Sequence, residues 1–203
     1  MQTLAKHSKQ SVSGSALKLL AAWRPGRVYR RESLADKTNA VDRHVRELLD
    51  AGLVKKVAQG MYYLPKQSSL GPLPPADAEV ISSFLRDDDF LVFSPSAYNA
   101  IGLGTTQLYN QTMVYNRKRH GVFKLGNRHF DFRVKPRFPK RLTPEFLLVD
   151  LLNNLEQLAE DPAHVLQQAK TKATAFDPVK LRQAFQCYGS AATRKLAKEL
   201  QLV

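Results

Sequence analysis

The sequence predicts an α+β protein, in which an N-terminal winged helix-turn-helix precedes a mixed domain with a small antiparallel sheet and several helices. Three observations support this fold class. The first 66 residues follow the order helix, short strand, helix, helix, hairpin. Prolines then interrupt the chain between residues 65 and 75. Beyond that stretch, short strand patterns come first and amphipathic helices follow, an order typical of α+β domains.

The N-terminal elements follow from apolar spacing and from turn residues. Apolar positions 16 to 23 mark a first helix, which Arg24-Pro25-Gly26 stops. A third helix is expected from about Ala40 to Ala51, and Gly52 ends it as a C′ glycine. The remaining expected elements are an extended piece at 28–29, a second helix at 32–35, a tight turn at 37–39, and two strands at 53–57 and 61–64 joined by a hairpin turn.

In the second half of the chain, helix starts are also marked by particular residues. Asp161-Pro162 and Asp177-Pro178 are signatures of an N-cap followed by a first helical residue. The expected helices are 76–85, 95–101, 144–154, 162–173, 178–187 and 190–201, and the expected strands are 90–93, 112–115, 121–125 and 128–135. Four segments follow from this: a flexible basic arm at 1–14, the winged helix-turn-helix at 15–66, a proline-rich linker at 67–75, and a C-terminal domain at 76–203.

The charge of the chain predicts a polyanionic partner. The formal net charge is +13 and the pI is about 10.0. Residues 1–70 carry a net charge of +8, residues 71–142 carry +5, and residues 143–203 are neutral. A generally basic protein would spread its charge over the whole chain, so this distribution favours nucleic-acid contacts in the first 142 residues.

Several classes of protein are disfavoured by composition. The sequence has no apolar run long enough for a membrane span, and its N-terminus lacks the apolar core of a secretory signal. The lone Cys187 suits a reducing cytoplasm, and we expect it to be a small buried side chain. We therefore expect a cytoplasmic protein that does not associate with membranes.

The third helix has the pattern of a recognition helix. Val41, Val45, Leu48 and Leu49 form its core stripe. Asn39, Arg43 and Arg46 lie on the opposite side, towards the N-terminal half, which is the part of a recognition helix that approaches base edges. Arginine pairs with guanine and asparagine with adenine, so these side chains are candidates for base readout.

Further candidates for DNA contact surround that helix. Lys37 and Thr38 lie in the turn before it and suit phosphate oxygens. Lys55, Lys56 and Gln59 form a basic wing, and Arg27, Arg30 and Arg31 precede the second helix. The alternative is an ordinary solvated helix face, because Asp42, Glu47 and Asp50 are spaced to pair with the arginines. The complete order of elements favours double-stranded DNA as the partner, with an operator that can contain inverted repeats.

A second basic patch is predicted in the C-terminal domain, with three members in one run, Arg117, Lys118 and Arg119, and three more at Arg128, Arg133 and Lys135. Alternation along 128–135 places Phe130, Phe132 and Val134 towards the core. The opposite, basic face then either binds nucleic acid or is merely solvated; at this point both remain open.

No enzymatic site is predicted. The segment Gly102-Leu103-Gly104-Thr105-Thr106 lacks the Gly-Lys-Ser/Thr ending of a phosphate loop. The five histidines show no metal-ligand spacing, and no nucleophile, base and acid form a recognisable set. We therefore expect no catalytic residues, no metal and no cofactor.

The chain also resembles the AbiEi-type antitoxins. The similarity to their winged helix lies in residues 27–29, 33–35, 41–54 and 60–63, and the more specific similarity, to the start of their second domain, lies in residues 93–106. The resemblance covers about residues 15–155. It implies an autoregulating antitoxin of a type IV toxin–antitoxin system, whose winged helix represses its operon and whose second domain counters a nucleotidyltransferase-like toxin without a stable complex. The alternative is an RNA-binding protein that has no operator.

Overall fold

The computed structural model describes residues 12–103, 112–158 and 161–202. These residues form two compact units, each with its own core. The first unit contains the chain up to Asp88 and residues 124–128, and the second contains residues 89–123 and 129–203. The α+β prediction is confirmed. The resulting boundary lies after Asp88 and not, as predicted, at residues 75–76.

The first unit begins with a winged helix-turn-helix arrangement. Its elements are helix α1 (Gly14–Ala21), strand β1 (Val28–Arg30), a 3₁₀-helix (Glu32–Lys37), helix α2 (Val41–Asp50), and strands β2 (Lys55–Ala58) and β3 (Met61–Tyr63). The three strands form an antiparallel sheet in the order β1-β3-β2. All the elements predicted for 15–66 are therefore present, with the second helix longer than expected and of the 3₁₀ type.

The core of this unit lies between the two α-helices and the sheet. Leu19, Leu34, Val45 and Leu48 are buried there together. At 25 cal/mol per Å², each such aliphatic side chain contributes roughly 1.5–3 kcal/mol. Gly52 follows α2 with a φ of +70°, the left-handed conformation expected of a C′ glycine.

The predicted flexible arm and linker need correction where the structure describes them. Residues 1–11 of the arm lie outside the described residues. Ser13, however, caps α1 and Gly14 is its first residue. The predicted linker is a two-stranded hairpin of β4 (Lys66–Ser68) and β5 (Gly71–Leu73). Pro72 lies within this hairpin, and Pro65, Pro74 and Pro75 flank it. A proline inside it is tolerated because a two-stranded ribbon has only edge strands.

Helix α3 (Asp77–Leu85) completes the first unit. It was expected to open the second domain, but it packs against β1. Its Glu79 Oε1 accepts a hydrogen bond from the Val28 N–H at 3.1 Å, and Arg30 donates to the Ser83 carbonyl at 2.8 Å. Ile81 on this helix is fully buried. The proline-containing stretch therefore forms a hairpin, and it does not separate α3 from the winged helix.

The second unit is built around one helix that is buried on nearly all sides. It contains strand β6 (Leu91–Phe93), a 3₁₀-helix (Pro95–Ile101), strands β7 (Thr112–Asn116), β8 (Gly121–Leu125) and β9 (Arg128–Val134), and helices α4 (Pro144–Asn153), α5 (Pro162–Ala173), α6 (Pro178–Tyr188) and α7 (Ala191–Glu199). The tip of the β8–β9 hairpin, residues 124–128, belongs to the first unit. Residues 146–152 of α4 are all buried.

The four strands β6 to β9 form one sheet in the order β6-β7-β9-β8. The β6–β7 pair is antiparallel and the β7–β9 pair is parallel. The predicted helix caps are confirmed, since Asp161 accepts from the Ala163 N–H and Asp177 from the Val179 N–H. Among the described residues, no helix combines the length and the apolar character that a bilayer span requires.

Candidate nucleic-acid interface

Helix α2 presents the side chains predicted for base readout. Val41, Val45 and Leu48 are buried and Leu49 is half-buried, so the predicted core stripe is confirmed. Asn39, Arg43 and Arg46 are exposed, and the Arg43 side chain is 71% exposed. Arg43 and Arg46 therefore lie on the solvent-facing side of α2, and Asn39 lies in the turn that precedes the helix.

Contacts beneath that surface hold α2 in place. Glu47 Oε2 accepts hydrogen bonds from both the backbone N–H and the hydroxyl of Ser13, at 3.0 and 2.6 Å. These two bonds lower the pKa of Glu47. His44 is buried, and its Nδ1 lies 2.9 Å from the Thr38 hydroxyl. Thr38 is thus occupied in joining the turn to the helix, in addition to any contact with phosphate.

A shallow cleft opens at the start of α2. It has a volume of about 350 Å³, and its polar lining consists of Arg31, Thr38, Asn39, Asp42 and Arg43. No side chain caps this helix, whose N-cap position is Ala40. The uncapped start of α2 therefore lines a cleft together with two arginines and one carboxylate. The helix start and the arginines favour anions, whereas Asp42 opposes them.

Arg31 is paired with a carboxylate at this cleft. Its Nε donates to Asp42 Oδ1 at 2.7 Å, and its Nη2 donates to Asp42 Oδ2 at 2.5 Å. This bidentate pair raises the pKa of Arg31 and lowers the pKa of Asp42. Both side chains are more than half exposed. The pair neutralises part of the positive charge at the start of α2.

The wing is basic as predicted, and short. Lys55, Lys56 and Gln59 are exposed, and Lys56 Nζ donates to Gln59 Oε1 at 2.8 Å. Gly60 in its turn has a φ of +68°, which a residue with a side chain rarely adopts. The Val57 carbonyl accepts a hydrogen bond from the Gly126 N–H at 2.6 Å, so the outer edge of β2 is held by the tip of the β8–β9 hairpin.

The arginines before the 3₁₀-helix differ in their availability. Arg30 is only 24% exposed and is occupied by Glu32 and by the Ser83 carbonyl. It is therefore a link to α3, and the structure gives no surface on which it would meet DNA. Arg27 is 60% exposed, with its Nε 3.6 Å from Glu79. Lys37 is exposed at the end of the 3₁₀-helix.

The second basic patch is only partly assembled as predicted. Arg128 belongs to the first unit, where it pairs with Asp77. Arg133 is 22% exposed and donates to Asp131, Asn154 and Gln157. The expected exposed face of β9 is thus packed, whereas Val134, expected in the core, is 47% exposed. On the face that was predicted to be exposed, Asp131 is buried and Arg133 is held by Asn154 and Gln157, which follow α4.

What remains of the patch is the loop 117–119, whose backbone is anchored by Asn116, together with Lys135. The side-chain oxygen of the buried Asn116 accepts the backbone N–H groups of Lys118 and Arg119 at 2.8 and 2.7 Å. Arg117 is paired with Asp89 and lies over the ring of Phe138, 5.5 Å from its centroid. Lys118 and Arg119 are exposed at the tip of the loop. Lys135 Nζ lies 5.2 Å from the centroid of Tyr115.

A buried polar network in the second unit was missed at the level of sequence. Asp150 is 1% exposed, and its two carboxylate oxygens each accept a tyrosine hydroxyl at 2.8 Å, one from Tyr98 and one from Tyr115. Burial raises the pKa of Asp150 above its usual value, and burial beside this carboxylate raises the pKa of both tyrosines. Asn154 joins this network to Arg133. A carboxylate amid the apolar residues 146–152 was the signal in the sequence.

The lone cysteine was also placed wrongly. Cys187 is exposed on α6, not buried. It is preceded by the buried pair Ala184 and Phe185, and the helical period turns position 187 away from that core face.

Comparisons with known proteins bear on the fold. No family model matches the chain, and none of the curated proteins matches it. The structure is similar to the crystal structure of the RV2827C protein from Mycobacterium tuberculosis, with a TM-score of 0.57 and 15% sequence identity. The alignment covers 94% of this chain and 77% of that chain. At this identity the similarity shows the fold alone.

Proposed function

We propose that this protein is a DNA-binding transcriptional regulator whose first unit reads an operator in duplex DNA. The observation that carries the proposal is the solvent-facing side of α2, where Arg43 and Arg46 are exposed, together with the exposed Asn39 in the turn before the uncapped helix start. A major groove admits one α-helix, and the N-terminal residues of that helix reach the base edges. The charges needed to hold the backbone lie on either side, at Lys37 and on the wing.

The two sides of this interface have different tasks in the proposal. Arg43 and Arg46 read bases, with Asn39 beside them. Lys37, Lys55 and Lys56 contact phosphates, and Thr38 and Gln59 add hydrogen bonds where their internal partners allow. Arg31 contacts phosphate only when its pair with Asp42 opens. Arg27 is a peripheral phosphate contact, and Arg30 has no role in binding.

The test compares two single substitutions on an operator selected from random duplexes. Arg43→Ala is expected to weaken operator binding by about 1–3 kcal/mol and to relax the preference at one or two base pairs. Lys56→Ala is expected to weaken operator and random DNA equally. Equal losses on both DNAs for Arg43→Ala would show that Arg43 only contacts phosphate. Tighter binding to a structured RNA than to any duplex DNA would favour the RNA-binding alternative.

The resemblance to AbiEi-type antitoxins supports a second, more specific proposal. In it the regulator represses its own operon in the cytoplasm and counters a nucleotidyltransferase-like toxin through the second unit. Co-expression with the product of the neighbouring gene tests this role. We expect rescue of growth by the full chain and by Arg43→Ala, because reading an operator and neutralising a toxin use different units. Failure of the full chain to rescue would leave the DNA-binding proposal standing and remove the antitoxin role.

A further inference from the structure

A groove between α6 and α7 collects three cations that the proposed function does not use. It has a volume of about 220 Å³ and is lined by Arg182, Phe185, Gln186, Arg194 and Lys198. Arg182 and Gln186 lie one turn apart on α6, and Arg194 and Lys198 lie one turn apart on α7. All four are exposed, so their polar ends form the rim. Phe185 is 2% exposed and forms the apolar floor.

The shape of the groove is set by a tight turn. A Cβ atom on Gly189 would lie 2.6 Å from the carbonyl oxygen of Phe185 and 3.1 Å from Cγ of Arg194. Glycine thus allows α7 to begin almost against the last turn of α6. Ser190, the N-cap of α7, is fastened to α4, since its backbone N–H donates to Asn153 Oδ1 at 2.9 Å. The two rims therefore keep a fixed separation.

Among the described residues, no carboxylate forms a salt bridge with Arg182, Arg194 or Lys198. Residues 177–202 hold five Lys and Arg and only two acids. Asp177 caps α6, where it accepts the N–H groups of Val179 and Lys180. Glu199 is 3.8 Å from Lys195 on the same helix. Both acids are therefore engaged outside the groove. The three positive charges around the groove repel one another, because no carboxylate neutralises them.

We propose that this groove binds an acidic segment of a partner protein, in which one large apolar side chain is flanked by carboxylates. The volume suits a single apolar side chain against Phe185, and the three cations are placed to receive carboxylates around it. Nucleic acid is the less suitable occupant, because an apolar floor offers nothing to a sugar–phosphate backbone. Residues 143–203 are neutral in sum, so the surplus of cations in residues 177–202 is a local one.

The test uses the full chain and a short fluorescein-labelled peptide of glutamates around one phenylalanine. Arg182→Gln combined with Arg194→Gln is expected to weaken binding of this peptide about tenfold or more. The matched control is Lys180→Gln combined with Lys195→Gln, which removes the same charge from the same two helices outside the groove. We expect the control to change binding by less than about threefold.

Further measurements test which kind of molecule occupies the groove. Replacing the phenylalanine of the peptide by serine is expected to weaken binding as well, because the floor is apolar. Melting temperatures of both double variants should match the unaltered chain, since the four side chains are exposed. The proposal is overturned if the peptide does not bind, or if both double variants lose binding equally. It is also overturned if the groove variant loses duplex DNA or anionic vesicles instead of the peptide.

Discussion

At the scale of single residues, the carboxylates decide which cations can meet a polyanion. Eight arginines and lysines near α2 are candidates for DNA contact in the sequence, and the structure separates them by their partners. Arg30 is occupied by α3, and Arg31 by Asp42. The number of basic residues around α2 therefore overstates how many of them are available to a polyanion.

Removing one of these carboxylates should strengthen DNA binding. Asp42→Asn deletes the charge that neutralises Arg31 and frees its guanidinium for phosphate. We expect tighter binding to operator and random duplexes alike, and a salt slope that becomes steeper by about one. Titration of labelled duplex at several salt concentrations measures both. A weaker-binding variant would mean that the pair positions Arg31 or α2. Asp36→Asn, on an exposed residue of the 3₁₀-helix, is the matched control.

The buried Asp150 should make stability depend on pH. Because burial raises its pKa in the folded chain, the folded state retains a proton that the unfolded state has lost. The contribution of this group to the free energy of unfolding is thus fully present below the unfolded pKa and decreases as pH rises through the folded pKa. Asp150→Asn lacks this dependence.

The measurement is urea unfolding of the unaltered chain and of Asp150→Asn across the acidic range to neutral pH. We expect the difference in unfolding free energy to shift in favour of the variant as pH rises. A second variant, Tyr98→Phe, tests the hydrogen bond to Asp150. Its lost hydroxyl leaves a buried carboxylate oxygen without its donor, and this should lower the free energy of unfolding by about 1–3 kcal/mol at neutral pH. A difference between Asp150→Asn and the unaltered chain that is constant with pH would contradict the raised pKa.

At the scale of elements, α3 shows that tertiary contacts can decide a domain boundary against the signal of the prolines in the sequence. Prolines at 65–75 predicted a separator, and the hairpin they form instead leads straight into a helix that is anchored on β1. Val80 and Ile81 are buried, and Arg86 is bound to Glu32 at 2.8 Å. The winged helix therefore carries an additional helix on its first strand.

A fragment of residues 1–88 should consequently be more stable than a fragment of residues 1–75. Without α3 the Val28 N–H loses its acceptor and the apolar side chains of β1 lose their cover. We expect the shorter fragment to melt several degrees lower or to remain partly unfolded. Circular dichroism melts of both fragments test this, with Ile81→Asp in the longer fragment as an intermediate case. Equal melting temperatures would show that α3 is dispensable.

At the scale of the whole molecule, a basic chain of +13 offers fewer phosphate contacts than its charge suggests. In the first unit, Lys37, Arg46, Lys55 and Lys56 are exposed, and none of them forms a salt bridge among the described residues, although the charge of Arg46 helps to lower the pKa of Asp42. If about four phosphates are neutralised, affinity should fall roughly a hundredfold between about 50 and 200 mM salt. Anisotropy titrations with the full chain measure the slope. A flat profile would exclude backbone contacts, and a slope near −9 would implicate the second unit as well.

The sequence by itself determined the local features of this protein. The amphipathic pattern of α2, the glycine after it, the aspartate caps and the basic hairpin turn each depend on neighbours a few residues away, and each was predicted at its place. Only the tertiary structure decided which charges are available and where the first unit ends. Those outcomes depend on residues distant in sequence, such as Arg30 with Ser83 and Asp150 with Tyr98. Burial and pairing arise from packing between elements, and no short-range pattern encodes which element will cover a given face.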